Sequence, residues 1–145
     1  MNDDISMKTD LDCKLLTEKD MRNILVVEDE FVSSQLICKL LNKYFNTEAV
    51  ETAEECLKRI SAKEYFLIFM DINLGRGLSG LEAVKQIRNN EKYRDIPIIA
   101  TTAFAMPGDK EEFIVAGCSG YLSKPFTREK LLNILKDYNP DIIHK

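Results

Sequence analysis

The chain has 145 residues, of which 45% are hydrophobic and 30% are charged, and this composition is typical of one globular domain with its own core. Its 20 lysines and arginines stand against 24 acidic residues, and the net charge of −4 argues against nucleic-acid binding through phosphate contacts. The longest dense apolar run, residues 66–70, is far shorter than the ~20 residues of a membrane-spanning helix. The acidic N-terminus lacks the basic residues of a secretory signal, so we expect a cytoplasmic protein.

Residue types that several kinds of catalysis need are scarce in this chain. The single histidine, His144, is next to the last residue, which argues against a Ser-His-Asp triad and a multi-histidine metal centre. The four cysteines are widely spaced and form no C-x-x-C pair, so a structural zinc site is not expected. Any chemistry must therefore depend on carboxylates, hydroxyls and lysines.

From residue 23 onward the chain alternates between short apolar strands and amphipathic helices. We interpret residues 1–22 as a polar extension prone to disorder, residues 23–139 as the domain, and residues 140–145 as a tail. The predicted strands cover residues 24–27, 47–50, 66–70, 96–100 and 121–123. The predicted helices cover residues 32–44, 52–60, 81–87, 109–116 and 127–138.

The hydrophobic pattern within the strands predicts the fold class. Strands 24–27, 66–70 and 96–100 are apolar on consecutive residues, as in parallel sheets that helices cover on both faces. Right-handed crossovers between such strands produce an open, doubly wound α/β sheet. We therefore predict a five-stranded parallel sheet with helices on both of its faces.

Polar side chains follow the predicted strands at the points where the strands end. Glu28 and Asp29 follow the first strand, Asp71 the third, Thr102 the fourth and Lys124 the fifth. Because the carboxyl ends of parallel strands meet at one edge of the sheet, we expect these side chains to converge there. Charged loop residues are often merely solvated, and for each residue alone that explanation is adequate. The placement of the whole set favours a functional site.

The residue types at this edge indicate phosphoryl-transfer chemistry. Three carboxylates in close proximity repel one another and need a cation, and oxygen ligands of this kind suit Mg²⁺. Asp71, at the end of the most apolar strand, is the predicted nucleophile, and Glu28 and Asp29 are the predicted metal ligands. The Lys124 ammonium and the Thr102 hydroxyl are expected to contact the oxygens of the transferred phosphoryl group.

Pro125 directly follows Lys124, the predicted lysine of the site, and two structural roles are possible for this proline. A cis bond between Lys124 and Pro125 would turn the lysine back toward the strand ends. Alternatively, the proline merely opens the last helix. The sequence leaves both alternatives open.

Four runs of the sequence resemble the receiver domain of two-component response regulators, and the resemblance extends over residues 23–138. These runs are Ile24–Glu30, Met70–Leu74 with Gly80, Thr102–Ala103 and Gly120–Phe126. The resemblance implies a flavodoxin-like fold. It also implies Mg²⁺-dependent phosphorylation of Asp71 by a phosphohistidine of a sensor histidine kinase or of a histidine phosphotransfer protein.

The resemblance adds roles that the residue chemistry alone does not reach. It makes the backbone carbonyl of Asn73 a metal ligand and Tyr121 a switch aromatic that turns inward as Thr102 moves toward the phosphoryl group. Such a movement would present a new face around the fourth helix and the fifth strand. A half-buried strand tyrosine without this role is the alternative for Tyr121. The other family positions coincide with those already assigned: Glu28, Asp29, Asp71 and Lys124.

Two features beside the predicted site depart from the common family pattern. The loop after Asp71, residues 73–80, is one residue longer than is usual and lacks the usual proline, which changes its flexibility. Phe104, two residues after Thr102, is bulky, and we expect it to shield the phosphoryl group from water.

We therefore expect a phosphorylation-dependent switch that is not itself an enzyme. The chain ends soon after its last predicted helix, so we expect no built-in DNA-binding output. The downstream partner is expected to be a protein, and the switch to be a monomer or a phosphorylation-linked dimer. It is either a free-standing regulator or the receiver segment of a longer kinase, and its length does not separate these.

Two functions from other classes compete with this hypothesis. A phosphatase of the haloacid-dehalogenase class also uses an aspartate nucleophile and Mg²⁺, but it needs a second aspartate where this chain has Asn73. A flavin- or nucleotide-binding module would need a phosphate-cradling loop after the first strand, where the acidic run 28–30 would repel phosphate.

Overall fold

A computed structural model describes residues 22–103 and 106–138 of the chain. Within these residues five strands alternate with five helices. The strands are β1 (Asn23–Val27), β2 (Asn46–Val50), β3 (Leu67–Asp71), β4 (Ile98–Thr102) and β5 (Gly120–Ser123). The helices are α1 (Phe31–Leu41), α2 (Ala53–Ala62), α3 (Gly80–Arg88), α4 (Asp109–Ala116) and α5 (Arg128–Leu135).

The five strands form one parallel sheet in the order β2-β1-β3-β4-β5. The strand order reverses direction at β1, so the chain winds first toward one edge and then toward the other. At this topological switch point the loops after β1 and β3 diverge and leave a crevice at the carboxyl edge of the sheet. The predicted fold class, a doubly wound five-stranded parallel sheet, is confirmed.

Helices cover both faces of the sheet because the three central strands, β1, β3 and β4, are buried on both sides. Helices α2, α3 and α4 pack on one face and bury residues such as Ile60, Ile87 and Phe113. Helices α1 and α5 pack on the other face and bury residues such as Ile37 and Leu131. The sheet is therefore fixed between two apolar layers, and its strand ends form a rigid base for the loops at the carboxyl edge.

The observed bounds of β3 and β4 differ from the predicted ones. Strand β3 includes Asp71, and β4 runs from Ile98 to Thr102 rather than over residues 96–100. The shift in β4 has a physical reason, since Pro97 has no N–H for the ladder and the N–H of Ile96 closes a turn onto the carbonyl of Tyr93 at 3.2 Å. Asp71 and Thr102 are thus the last residues of their strands rather than the first residues of loops.

Several sequence predictions fall outside the described residues. These are the extension up to residue 21, the shielding role of Phe104 and the tail over residues 140–145. None of the helices in the described ranges is long and apolar enough to cross a membrane.

Candidate functional site

Three carboxylates converge where the central strands end. Glu28 directly follows β1, Asp29 comes next, and Asp71 is the last residue of the neighbouring strand β3. Each offers one oxygen, and these oxygens lie within 4.8 Å of one another. Glu28 and Asp71 are only 2% and 4% exposed, whereas Asp29 is exposed, so the cluster opens to solvent on one side. The structure thus brings together the three carboxylates that the strand ends point to.

Lys124 supplies a positive charge to this cluster from β5, on the far side of β3. Its Nζ lies 2.5 Å from Oε1 of Glu28 and 3.4 Å from Oδ2 of Asp71. The backbone N–H of Lys124 donates to the carbonyl of Thr102 at 2.7 Å, which continues the β4–β5 pairing up to the site. The peptide bond between Lys124 and Pro125 is cis, which is the first of the two alternatives that the sequence left open for Pro125.

The burial of Glu28 changes its protonation. Burial is the largest cause and raises the pKa of Glu28 to about 7, assisted by the neighbouring Asp71 and opposed by Lys124. Burial also lowers the pKa of Lys124, but the bond to Glu28 and the charge of Asp71 outweigh it and leave that pKa above its ordinary value. The ammonium is therefore charged at neutral pH, while Glu28 takes up a proton readily.

The loop after β3 closes over the carboxylates through its backbone. The N–H of Asn73 donates to Oδ1 of Asp71 at 2.9 Å, and the N–H of Gly75 donates to Oδ2 of Asp29 at 2.8 Å. These bonds hold the Asp71 carboxylate beside the cavity at the carboxyl edge, whose volume is about 450 Å³. The cavity is lined by Glu28, Asp29, Glu30, Ser33, Asp71, Asn73, Ala103 and Lys124.

Thr102 and Tyr121 lie outside the cavity lining. Thr102 ends β4 and is 2% exposed, and it pairs with Ser123 of β5. Because side chains alternate along a strand, Thr102 shares a sheet face with Tyr121, two residues before Ser123. The Tyr121 ring packs edge-on against Phe113 of α4, with 6.1 Å between ring centroids. The two predicted switch residues are therefore neighbours on one face, next to the carboxylates but not among them.

Three residues that line the cavity, Glu30, Ser33 and Ala103, were not assigned a role in the site from the sequence. Glu30 caps α1, since its carboxylate accepts the N–H groups of Val32 and Ser33, the latter at 2.8 Å. Ser33 faces the cavity from the first turn of that helix. Glutamate is not among the preferred N-cap residues, so the sequence signal for the start of α1 was weak, although acidic charge at this end is favourable.

The donor set of the cavity fits a hard divalent cation. Three carboxylates, one of them exposed, face a single ammonium, so the cluster has an excess of negative charge at neutral pH. Oxygen ligands at one open edge suit Mg²⁺, which keeps several waters and shares its remaining positions with phosphate. The site can therefore hold a metal ion beside the oxygens of Asp71.

The fold and this site together define a class of signalling domain. The family model described as the response regulator receiver domain matches residues 24–136, which is most of the chain. The chain therefore belongs to the receiver-domain family of response regulators, and a phosphoryl-accepting switch is the function typical of this family.

Particular relatives are similar over nearly their whole length. The polar-differentiation response regulator DivK of Brucella ovis is 35% identical over 121 residues, which are 83% of this chain and 98% of DivK. The receiver domain of the sensor histidine kinase PA1611 from Pseudomonas aeruginosa PAO1 is 35% identical, with a TM-score of 0.75 over 82% of this chain and 98% of that domain. Its crystal structure has a magnesium ion in the active-site cleft.

A second similar structure contains a phosphotransfer partner. It is the co-crystal structure of the Saccharomyces cerevisiae histidine phosphotransfer signaling protein Ypd1 and the receiver domain of its downstream response regulator Ssk1. The match is 29% identical with a TM-score of 0.76, and it covers 83% of this chain and 90% of that chain.

Proposed function

We propose that Asp71 accepts a phosphoryl group from a phosphohistidine and that the aspartyl phosphate changes the partners that the domain binds. The observation that carries this proposal is the buried Asp71 carboxylate beside two further carboxylates and the Lys124 ammonium. A carboxylate oxygen of Asp71 attacks phosphorus, and the P–N bond to the imidazole breaks. The ring nitrogen leaves with the electron pair of that bond, and Asp71 becomes an acyl phosphate.

Glu28, Asp29, Asp71 and the backbone carbonyl of Asn73 would hold Mg²⁺ in this reaction. The similar PA1611 receiver domain, with its magnesium ion, supports the same cofactor here. Bound Mg²⁺ supplies positive charge to the phosphoryl oxygens and offsets the repulsion between the carboxylates. Lys124, whose Nζ lies 3.4 Å from Oδ2 of Asp71, contributes a second positive charge.

Thr102 and Tyr121 are the proposed switch pair. The Thr102 hydroxyl moves toward the phosphoryl oxygens, and Tyr121 turns into the space that this movement frees. Their shared face, and the contact of Tyr121 with Phe113 of α4, support the pairing. A change at Thr102 would thereby reach α4, a helix on which Val115 is 86% exposed.

The phosphodonor is a protein, either a sensor histidine kinase or a histidine phosphotransfer protein. The Ypd1–Ssk1 complex supports such a partner. Large apolar side chains are exposed beside the site on α1, with Phe31 71%, Val32 68% and Leu36 48% exposed. Leu36 borders an apolar groove that continues to Pro125 and Phe126, next to Lys124. An exposed apolar surface at this place suits a protein that brings a phosphohistidine to Asp71.

The downstream partner and the cellular location of the switch are also part of this proposal. We propose a cytoplasmic switch that acts on a downstream protein rather than on nucleic acid, in keeping with the net charge of −4. A multiple-turnover phosphatase is not favoured, because Asn73 occupies the position that would carry its general acid. Steady hydrolysis of a phosphate monoester by the purified protein would favour the phosphatase instead.

Acetyl phosphate tests the phosphoacceptor directly. With Mg²⁺ present, intact-mass spectrometry should show one added phosphoryl group on the wild-type protein and on Asp95→Asn, which alters an exposed carboxylate outside the cavity. Asp71→Asn should show none, because the amide is not a nucleophile toward phosphorus. Phosphorylation that persists in Asp71→Asn would contradict the assignment, as would a wild-type reaction unaffected by removal of Mg²⁺ with EDTA.

A further inference from the structure

In the loop between β3 and α3, residues 72–79, the N–H of Ser79 donates to Glu82 in the cap of α3, and three further N–H groups donate to carboxylates outside that helix. Asp71 accepts the N–H of Asn73 and Asp29 accepts the N–H of Gly75, as described above. At the far end of the loop, Oε2 of Glu54 accepts the N–H of Leu78 at 2.9 Å. Glu54 belongs to the first turn of α2, so this third bond joins the loop to an element that supplies no ligand to the candidate metal site.

The contact between Glu54 and the loop is close along the backbone. Gly77 has a φ of +73°, a conformation that L side chains rarely adopt, and a Cβ at this position would lie 2.7 Å from Oε2 of Glu54. Leu78, the next residue, packs its side chain against the core on the α2–α3 face. The far end of the loop is therefore fixed both by the Glu54 carboxylate and by apolar contact.

The three bonds differ in what happens to them when the site is in use. A metal ion or a phosphoryl group at the carboxylates competes with the N–H groups of Asn73 and Gly75 for the oxygens of Asp71 and Asp29. The Glu54 carboxylate lies outside the three-carboxylate cluster, so its bond to Leu78 does not face this competition. The Glu54 bond therefore persists when the other two are weakened, and, unlike the bond from Ser79 to Glu82, it ties the loop to a helix other than α3.

We propose that Glu54 is a positioning residue for the phosphorylation site, one that holds loop 72–79 so that the Asn73 carbonyl stays directed at the metal ion. This inference rests on the proposed function at Asp71. Loss of the Glu54 carboxylate should loosen the loop, weaken Mg²⁺ binding and shorten the lifetime of the aspartyl phosphate, while the fold is retained because Glu54 is exposed.

Limited proteolysis measures the loosening without any reference to phosphorylation. Arg76 is exposed in the middle of the loop, and trypsin cleaves after arginine only where the backbone can open. In the folded 145-residue chain with Mg²⁺, cleavage after Arg76 should be about five-fold faster in Glu54→Ala, as expected for the loss of one hydrogen bond. Glu54→Gln keeps an acceptor oxygen and should resemble the wild type.

Calorimetric titration with Mg²⁺ measures the consequence for the site. The Kd for Mg²⁺ should be about five-fold weaker in Glu54→Ala, by the same loss of one hydrogen bond, and close to wild type in Glu54→Gln. Glu55→Ala is the matched control, because it removes the next carboxylate of the same helical turn, which is also exposed. Gly77→Ala should reproduce the Glu54→Ala effects from the loop side.

The outcomes separate this inference from the proposed function. Faster cleavage and weaker Mg²⁺ binding in Glu54→Ala, both restored in Glu54→Gln, support it. An Mg²⁺ affinity in Glu54→Ala equal to that of the Glu55→Ala control overturns it, even if cleavage is faster. Failure of Asp71→Asn to abolish phosphorylation would overturn the proposed function, while the proteolysis and Mg²⁺ titrations would still report on the Glu54 anchor.

Discussion

Two glutamates that each bind a lysine have pKa values shifted in opposite directions: Glu28, at the carboxyl edge of the sheet, and Glu48 of β2, whose partners Lys63 and Tyr65 precede the amino end of β3. At the carboxyl edge, burial raises the pKa of Glu28 to about 7, although Lys124 lies 2.5 Å away. At the amino edge, partial burial acts to raise the pKa of Glu48 as well. The bonds of Glu48 to Lys63, Tyr65 and Arg59 outweigh the effect of burial, so the pKa of Glu48 lies below its ordinary value.

The difference lies in the balance of charge around each carboxylate. Glu48 has a lysine, an arginine at 2.8 Å and the hydroxyl of Tyr65 at 2.6 Å, so its charge is fully compensated by the protein. Glu28 shares a single lysine with Asp71. The amino edge is therefore electrostatically complete, whereas the carboxyl edge lacks positive charge, and a cation from solution is what would complete it.

Removal of the lysine at each edge gives the largest expected contrast. Lys124→Met leaves buried Glu28 and Asp71 without a cation, and in EDTA at about pH 8 it should lower the free energy of unfolding by about 3 kcal/mol. Lys63→Met removes an exposed partner and leaves Arg59 bound to Glu48, so its cost should be below about 1 kcal/mol. Urea denaturation measures both, and equal losses would contradict the contrast between the edges.

Glycines at the two edges provide a second, smaller contrast. A Cβ on Gly80 would overlap the carbonyl oxygen of Asp71, which cannot move without displacing the end of β3. We expect Gly80→Ala to cost about 2 kcal/mol through this overpacking and to slow phosphorylation by acetyl phosphate. Gly120→Ala, at the amino end of β5, places its Cβ 3.5 Å from Ile134, an ordinary contact, and should be nearly neutral.

Thermal unfolding and the rate of phosphoryl incorporation together test this pair. If Gly80→Ala lowered the Tm without slowing phosphorylation, the close approach of α3 would matter for packing alone. A Gly120→Ala protein as unstable as Gly80→Ala would show that the effect is not specific to the edge that carries the site.

The convergence of Glu28, Asp71 and Lys124 could be predicted from the sequence because strand ends can be located from hydrophobic runs. In a parallel sheet those ends share one edge, so chemistry and topology pointed to the same residues. The roles of these residues remain predictions, since geometry alone does not show a reaction. The bond between Glu54 and Leu78 was not predictable, because it depends on where α2 packs relative to a loop 24 residues away.

Local signals also misled the prediction of strand bounds. The run Ile96–Ala100 is apolar throughout, so the pattern placed the strand over it, whereas the missing N–H of Pro97 and the turn at Ile96 delay the ladder to Ile98. Thr102 was therefore expected in a loop and is instead the last residue of β4, buried and outside the cavity. Its proposed role requires a movement that the sequence does not encode in any local pattern.

The dependence of stability on pH distinguishes the two glutamates further. Burial raises the pKa of Glu28 from 4.5 to about 7, so between these values the folded state binds more protons than the unfolded state. Stability from this group is therefore fully present below about pH 4.5 and is lost as the pH rises through about 7. Glu48 contributes in the opposite direction: its stability is present above the unfolded pKa and is lost as the pH falls through its lowered folded value.

Magnesium should reverse the loss at Glu28, because the metal binds the deprotonated carboxylate and so competes with the proton. At about ten times the Kd, Mg²⁺ should stabilise the fold by about 1.4 kcal/mol at pH 8, and by less at pH 6, where Glu28 is largely protonated. Differential scanning calorimetry in EDTA and in Mg²⁺ at both pH values measures this difference. Glu28→Gln should remove most of the pH dependence of the Mg²⁺ effect, whereas Glu48→Gln should preserve it. If Mg²⁺ raised the Tm of the wild type equally at both pH values, Glu28 would not be the group that couples proton release to metal binding. The excess negative charge of the carboxyl edge would then have to be assigned to Asp29 and Asp71 alone.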